Sequence, residues 1–275
     1  MRKMRMLSIE VIAVLVTIVL FWVPLYFVVV NAMKNPQDAA LLNMNWPDTI
    51  HLWDNLVEVI QARDYMLLTA FKNSTVMTVL SIFVLVIFAA MAGFVLQRRT
   101  DKATPIINFF VLSGLIIPPA VVPTIWVLQG LELYKTMAGI VAVEVALGLP
   151  FCIILYRGFM AGIPRDIDEA SVMDGCGKWR LFFSIILPLL KPVTATVIIT
   201  QSVFIFNDFA NPLYFFPGSE NATVQLTLYN YTSQFVSQWN LLFANILIIT
   251  IPMLILFLIF NKKIVAGMTA GSVKG

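Results

Sequence analysis

The chain has 275 residues, of which 60% are hydrophobic and only 12% charged, about half the charge of an ordinary soluble domain. A water-soluble fold of this length could not hide so much apolar surface, because more than half of a folded protein's exposed area is already apolar; the mean hydropathy of +0.88 points the same way. A cytosolic enzyme, a disordered tail and a disulfide scaffold built on two cysteines are thereby excluded, and a formal charge of +3 is too small to indicate nucleic acid.

What remains is an integral membrane protein. A helix needs about 20 mainly apolar residues to cross a hydrocarbon layer of about 30 Å. Six stretches meet that need: 7–30, 74–96, 106–128, 137–156, 193–216 and 241–260. The first has a basic start, yet its apolar run is longer than the core of a signal peptide, and no small-residue cleavage site follows it. It is expected to be a retained span. None of the six alternates apolar and polar residues as barrel strands do. Backbone groups in lipid must pair within their own segment, which leaves helices. The expected fold class is an all-α integral membrane protein with six transmembrane helices.

Orientation follows from the basic residues. One side holds Arg2, Lys3, Arg5, Arg98, Arg99, Lys102, Arg157, Arg165, Lys178, Arg180, Lys191, Lys262, Lys263 and Lys274; the other holds Lys34, Arg63, Lys72 and Lys135. This bias puts both termini in the cytoplasm. Pro24, Pro118, Pro119, Pro123, Pro150 and Pro252 interrupt the spans. Such breaks serve either helix packing or a moving pathway.

The connection 157–191 differs from a simple tether. It packs nine charges into 35 residues. Ile163-Pro164 signals a helix start, and Asp166, Asp168 and Glu169 fall in the first turns, where the helix dipole favours acids. Gly175 and Gly177 then make a corner. A second short helix follows over 178–190, with Trp179, Phe182, Phe183, Ile185 and Ile186, ending at Leu187-Pro188. Two readings stand: a solvated charged loop with an interfacial helix, or a docking element for a cytoplasmic partner.

Polar groups inside spans are functional candidates, since an unpaired Asp there costs about 2.5–3.5 kcal/mol on insertion scales. Asp208 leads, with Asn207 beside it and Asn211 a turn further on. Glu144 in the fourth span is a weaker case of the same kind. Gln201, seven residues before Asp208, is expected to share its helix face. Each either lines a pathway or makes a structural contact. Tyr214, Phe204 and Trp126 could stack on a sugar, but an aromatic in a membrane helix more often packs or anchors. The outer connection 218–240 carries Tyr229, Tyr231, Phe235 and Trp239 with one charge, Glu220, and suits a lid at the membrane interface. The Asn-x-Ser/Thr triplets at Asn73, Asn221 and Asn230 are too common to mean glycosylation.

One loop pattern is distinctive. Glu169-Ala170-Ser171, three residues, Gly175, nine residues, then Ile185-Ile186-Leu187-Pro188 resembles the EAA signature of ABC importer permeases. Asp174 stands in its usual place before the glycine. Ser171 replaces the second Ala, a small-for-small change. Asn73-Ser74, Asn207-Asp208-Phe209, Pro212-Leu213 and the ending Gly267-Met-Thr269-Ala-Gly271-Ser-Val273-Lys274-Gly275 resemble the second permease subunit of maltose-type carbohydrate transporters.

The resemblance implies a type I ABC importer permease fold. It divides the chain into an N-terminal span and first outer loop (1–68), a permease core (69–261) holding the coupling loop 157–192, and a cytoplasmic tail (262–275). In that family the loop docks into a cleft of the ATPase subunit. Glu169, Ala170, Ser171, Asp174, Gly175, Ile185, Leu187 and Pro188 would form this coupling element, with Glu169 paired to a basic group of the ATPase. Gly267, Thr269, Gly271 and Lys274 of the tail would reach the same ATPase interface. The outer loop would reach into an open binding protein.

The implied partners are a sister permease subunit in a heterodimer, a dimer of ATPase subunits, an extracytoplasmic sugar-binding protein, a sugar or oligosaccharide, and lipid, with no nucleic acid. The chain is expected to be a transport subunit and not an enzyme. It binds no cofactor or metal itself; ATP and Mg belong to the ATPase. Its expected location is a bacterial or archaeal inner membrane. A permease for another solute remains an alternative. An intramembrane enzyme is disfavoured by a lone His51 and the lack of ligand or nucleophile motifs. A secondary transporter would not need the charged loop and more often shows two similar halves. No Gly-x-x-x-x-Gly-Lys-Ser/Thr loop is present, so ATP must be handled elsewhere.

Overall fold

The computed structural model describes residues 2–232 and 237–270, which form helices and turns with no strand among them. The chain divides into two compact units, one of Met1–Ala70 with Val224–Pro252 and one of Phe71–Thr223 with Met253–Gly275.

The first unit opens with helix Arg2–Thr17, a π-helical turn Ile18–Trp22 and helix Val23–Ala32. The π turn has a local cause. Pro24 has no N–H to offer, and the Val23 N–H reaches back five residues to the Ile18 carbonyl. Phe21 and Trp22 are exposed, as are the apolar residues around them, so this span presents apolar side chains on all faces. Beyond it Lys34 is buried. Its Nζ donates to Asn31 Oδ1 at 3.1 Å, Asn43 O at 2.8 Å and Asn43 Oδ1 at 2.8 Å. Burial pushes the Lys34 ammonium below its usual pKa, against the opposing pull of Asp38. Asn55 donates to the carbonyls of Ala32 and Lys34 and accepts from Asn240, tying the first outer connection to the start of the last helix.

Helix Leu52–Arg98 is broken at 62–65, where Arg63, Asp64 and Tyr65 take left-handed φ values of 50°, 54° and 59°. The last helix, Trp239–Ala270, carries Pro252 within it.

The second unit holds the larger core. Met77, Leu85, Ala89, Ile140, Cys152, Tyr156, Met160, Ile186 and Val197 are among its buried members. Small residues let helices approach closely, as packing within a membrane favours. A Cβ on Gly93 would sit 2.7 Å from Tyr156 Cβ, and one on Gly114 would sit 2.7 Å from Pro150 Cγ. Tyr156 donates from its hydroxyl to Thr194 Oγ1 at 3.0 Å.

Among the described residues, three helices are long and apolar enough to cross a membrane: Glu10–Ala32, Leu52–Arg98 and Met137–Met160. Two bent pairs bring the number to five if each is one span, and Trp239–Ile255 is a shorter apolar helix. The expected third span is therefore not straight. Thr104–Ile116 and Val121–Gly130 meet at 116°. Pro118 and Pro119 supply no N–H and hold Ile117 extended, with ψ 120°. The expected fifth span also differs. Its helix stops at Phe206 to resume as Ala210–Phe215, and the 75° bend between Lys178–Leu189 and Lys191–Phe206 precedes it.

Candidate functional site

Two groups of expected residues lie in the second unit, one in the charged connection and one at the break after Phe206. The connection begins where helix Met137–Met160 ends. Helix Asp166–Met173 follows, with Asp166, Asp168 and Glu169 in its first turn. It ends on Gly175 at φ +79°. The Gly175 N–H bonds to the Val172 carbonyl and the Cys176 N–H to the Ser171 carbonyl, both at 3.0 Å. This pair of bonds is a Schellman ending, which needs a left-handed residue at the corner.

Glu169, Ala170, Asp174 and Gly175 are exposed, whereas Ser171 is buried and donates from its hydroxyl to the Ile167 carbonyl. Val172, Met173 and Trp179 form an apolar exposed rim beside the acids. Helix Lys178–Arg180 then runs into a π-helical turn Leu181–Ile186 and the short helix Leu187–Leu189. The Leu187 N–H bonds to Phe182 O, five residues back, and Pro188 removes the next donor. Ile185 and Leu187 pack against the core. Pro188 lies inside this last turn, and the corner falls at Leu190, just before Lys191-Pro192 opens the next helix.

Sequence reasoning missed what holds this connection. Arg98, at the end of helix Leu52–Arg98, places Nε 2.5 Å from Asp168 Oδ2. Its Nη2 donates to the carbonyls of Ile163 at 3.1 Å and Pro164 at 3.4 Å. Arg157 is a second fastening. Its Nη1 donates to Asn108 Oδ1 at 2.7 Å and its Nε to Gln97 Oε1 at 3.3 Å, joining three helices. These groups line a cleft of about 290 Å3.

Asp208 lies in the break between Phe206 and Ala210, not inside a helix. Its Oδ1 accepts from the N–H of Ala210 at 2.8 Å and of Asn211 at 3.3 Å, so it caps the short helix that follows. The Asn211 amide donates to Asp208 Oδ2 at 2.5 Å and to Glu144 Oε1 at 3.3 Å. Three of the expected pathway residues thus form one cluster, with Glu144 buried. Asn207 turns its amide back to the Val203 carbonyl. The expected register of Gln201 with Asp208 does not hold, because the helix ends between them. Gln201 is buried against Gly148 instead, its Oε1 3.0 Å from where a Cβ there would stand.

Elsewhere in the unit, Asn73 donates to the carbonyls of Glu220 and Ala222, and Asn221 donates to those of Lys135 and Pro217. Of the expected tail contacts, Gly267 and Thr269 fall in helix Trp239–Ala270. Gly271 and Lys274, like Phe235 of the outer connection, lie outside the described residues.

The comparisons agree with one another. Residues 86–270 match the family model described as the binding-protein-dependent transport system inner membrane component. The chain is 32% identical over 257 residues to the probable starch degradation products transport system permease protein AmyC of Thermoanaerobacterium thermosulfurigenes, covering 93% of each. It is 30% identical to the melibiose/raffinose/stachyose import permease protein MelC of Bacillus subtilis, over the whole of both chains. It is 32% identical to the multiple sugar-binding transport system permease protein MsmG of Streptococcus mutans, covering 93% of each. Among solved structures, a chain of a bacterial ABC transporter involved in the import of the acidic polysaccharide alginate superimposes with a TM-score of 0.79 at 18% identity, covering 95% of this chain and 96% of that one.

Proposed function

The chain belongs to the binding-protein-dependent transport system inner membrane component family, and from that premise we propose that it is the permease subunit of an ATP-driven importer for a sugar or oligosaccharide. The observation that carries the substrate class is the run of relatives at 30% identity or more over most of their length, named for starch products, for melibiose, raffinose and stachyose, and for multiple sugars. On this reading an extracytoplasmic binding protein delivers the solute, a sister permease completes the pathway, and a separate ATPase dimer with its ATP and Mg supplies the work. The chain sits in a cell membrane as one of these parts.

The coupling element is the corner built on helix Asp166–Met173 and Gly175. Three features support it. The exposed acids Glu169 and Asp174 stand beside the apolar rim of Val172, Met173 and Trp179, which suits a partner surface with a basic group and an apolar socket. The corner is set by a Schellman ending and held to the rest of its unit by Arg98. A part that passes force between two states must be fastened to what it moves.

The pathway reading rests on Glu144, Asn211 and Asp208. Three polar side chains gathered at a helix break in an apolar segment need a reason beyond packing, and a saccharide supplies hydroxyls that carboxylates and amides can bind.

The test is reconstitution of the complete system in vesicles, with sister permease, ATPase and binding protein, followed by uptake across di-, tri- and larger oligosaccharides. ATP-dependent uptake of at least one saccharide is expected. A complex that hydrolyses ATP in response to its binding protein but carries only a non-sugar solute would overturn the substrate class.

A further inference from the structure

The first unit contains a cleft of about 630 Å3 that none of the roles above uses. One wall is the helical segment at 52–61, which contributes Trp53, Glu58 and Gln61. Arg63 stands at its rim, and Asn230 and Gln238 face it from the other wall. The ring of Trp53 is 74% exposed although it lines the cleft, so a large aromatic face stands open to a ligand.

The walls are tied to each other. The Tyr231 hydroxyl donates to Val59 O at 3.4 Å, and Asn240 donates to Asn55 Oδ1 at 2.8 Å, both with buried partners. The Gln238 N–H bonds to Tyr231 O at 3.0 Å. The Asn230 amide donates to Met66 Sδ at 3.4 Å. A cleft with braced walls is preformed, and its volume lies within the ~300–1,000 Å3 of small-ligand sites.

The turn at its rim is strained. Arg63, Asp64 and Tyr65 are three successive non-glycine residues with left-handed φ. Such conformations are sparsely populated and gather where a ligand is held or a switch is set. Here they end the first helical segment and set Arg63 at the mouth of the cleft.

The lining specifies a ligand class. Asp54 and Glu58 line the cleft with one cation, Arg63, so it does not suit an anion. Their planar carboxylate and guanidinium groups, with the amides of Gln61, Asn230 and Gln238, offer hydrogen-bond acceptors and donors. Neighbouring hydroxyls on a sugar ring present the complementary pairs. An open indole offers a flat apolar face for the C–H face of a pyranose.

We propose that this cleft is a saccharide-binding site of the chain itself, separate from the Glu144–Asn211–Asp208 cluster, holding one to three pyranose units on the face expected to lie outside the membrane. The proposal rests on the reading that the transported solute is a saccharide. Trp53 provides the stacking platform. Glu58 and Gln61 anchor hydroxyls from one wall, and Asn230 and Gln238 do so from the other.

The test uses the assembled permease pair with its ATPase in nanodiscs, without the binding protein. Maltotetraose, raffinose and stachyose are titrated, with saturation-transfer NMR as the readout. Saturable binding of at least one of them is expected. Trp53→Ala and Glu58→Gln should each weaken it at least fivefold, while Trp46→Ala, at an exposed indole outside the cleft, should leave it unchanged. No saturable binding of any of the three, or binding unaltered in both cleft variants, overturns the proposal. Should the two variants weaken association of the binding protein while no sugar binds, the cleft is a protein-docking surface and the proposal also falls. Uptake by the complete system separates the two readings: uptake of a saccharide without sugar binding in the cleft overturns the cleft alone.

Discussion

Arg98 and Asp168 are 70 residues apart in sequence, yet Arg98 Nε lies 2.5 Å from Asp168 Oδ2, with the two side chains only 15% and 17% exposed. The same guanidinium holds the carbonyls of Ile163 and Pro164. One side chain at a helix end therefore fixes both the entry to helix Asp166–Met173 and its first turn. Any displacement of that helix is passed to Leu52–Arg98 through charge-assisted bonds, which are shorter and stronger than neutral ones.

Removing this fastening should loosen coupling before it loosens the fold. Arg98→Ala leaves Asp168 shielded and without its cation, whereas the Arg98→Ala, Asp168→Asn pair removes the stranded charge. A double-mutant cycle on thermal unfolding of the purified complex should give a coupling energy of about 1–3 kcal/mol, the range for bonds to charged groups. Binding-protein-stimulated ATP hydrolysis should persist in Arg98→Ala while uptake per ATP falls severalfold. A coupling energy near zero with unchanged uptake per ATP would show that the pair is ornamental.

Gly175 separates backbone conformation from crowding. Its φ of +79° disfavours any side chain, yet nothing stands within 4 Å of where a Cβ would be. Substitution there should cost only the left-handed conformation, about 1–2 kcal/mol for an ordinary residue and less for Asn. Gly175→Val should therefore impair coupled uptake strongly, and Gly175→Asn much less. Equal effects would mean that the glycine is needed for close approach of a partner and not for its φ.

Gly93 offers the converse test. A Cβ there meets Tyr156 Cβ at 2.7 Å and Arg157 N at 3.0 Å, whereas one on Gly158 meets nothing within 4 Å. Gly93→Leu should force two core helices apart and lower the yield of assembled complex, with overpacking of this kind destabilising by about 1–3 kcal/mol. Gly158→Ala should assemble normally. Size-exclusion profiles and melting temperatures of the two variants check both halves.

The apolar runs and the loop corner were legible in the sequence because their signals are local. Twenty apolar residues announce a span, and Gly175 after acid-rich helix starts announces a turn. The bends were not. A hydropathy window averages over Pro118-Pro119, so Thr104–Ile116 and Val121–Gly130 read as one span although they meet at 116°. The same averaging carried the fifth span through Asn207-Asp208-Phe209, where the helix in fact stops. That error put Gln201 on the face of Asp208. The pairing of Arg98 with Asp168 had no sequence signal at all, since each charge alone reads as a solvated loop residue. Asn211 was expected to matter, but its role as the bridge to Glu144 depends on a contact 67 residues away.

Asn211 donates one amide group to two carboxyl side chains, Asp208 at the break after Phe206 and Glu144 on helix Met137–Met160. Asn211→Ala removes the amide donor that both share and leaves two acids facing each other near a helix break. Asn211→Asp removes the donor and adds a third acid. If the cluster lines the pathway, both variants should assemble, because Asp208 still accepts from the Ala210 N–H and keeps its cap. Uptake should fall at least tenfold in Asn211→Asp and less in Asn211→Ala. Asp208→Asn should restore part of the loss in the Asn211→Asp background by lowering the local negative charge. A purely structural cluster behaves differently: melting temperature and yield of the complex fall together, and the complexes that do form transport with wild-type kinetics. Parallel measurement of assembly and single-complex uptake therefore distinguishes a group that touches the solute from one that only holds helix Ala210–Phe215 to helix Met137–Met160.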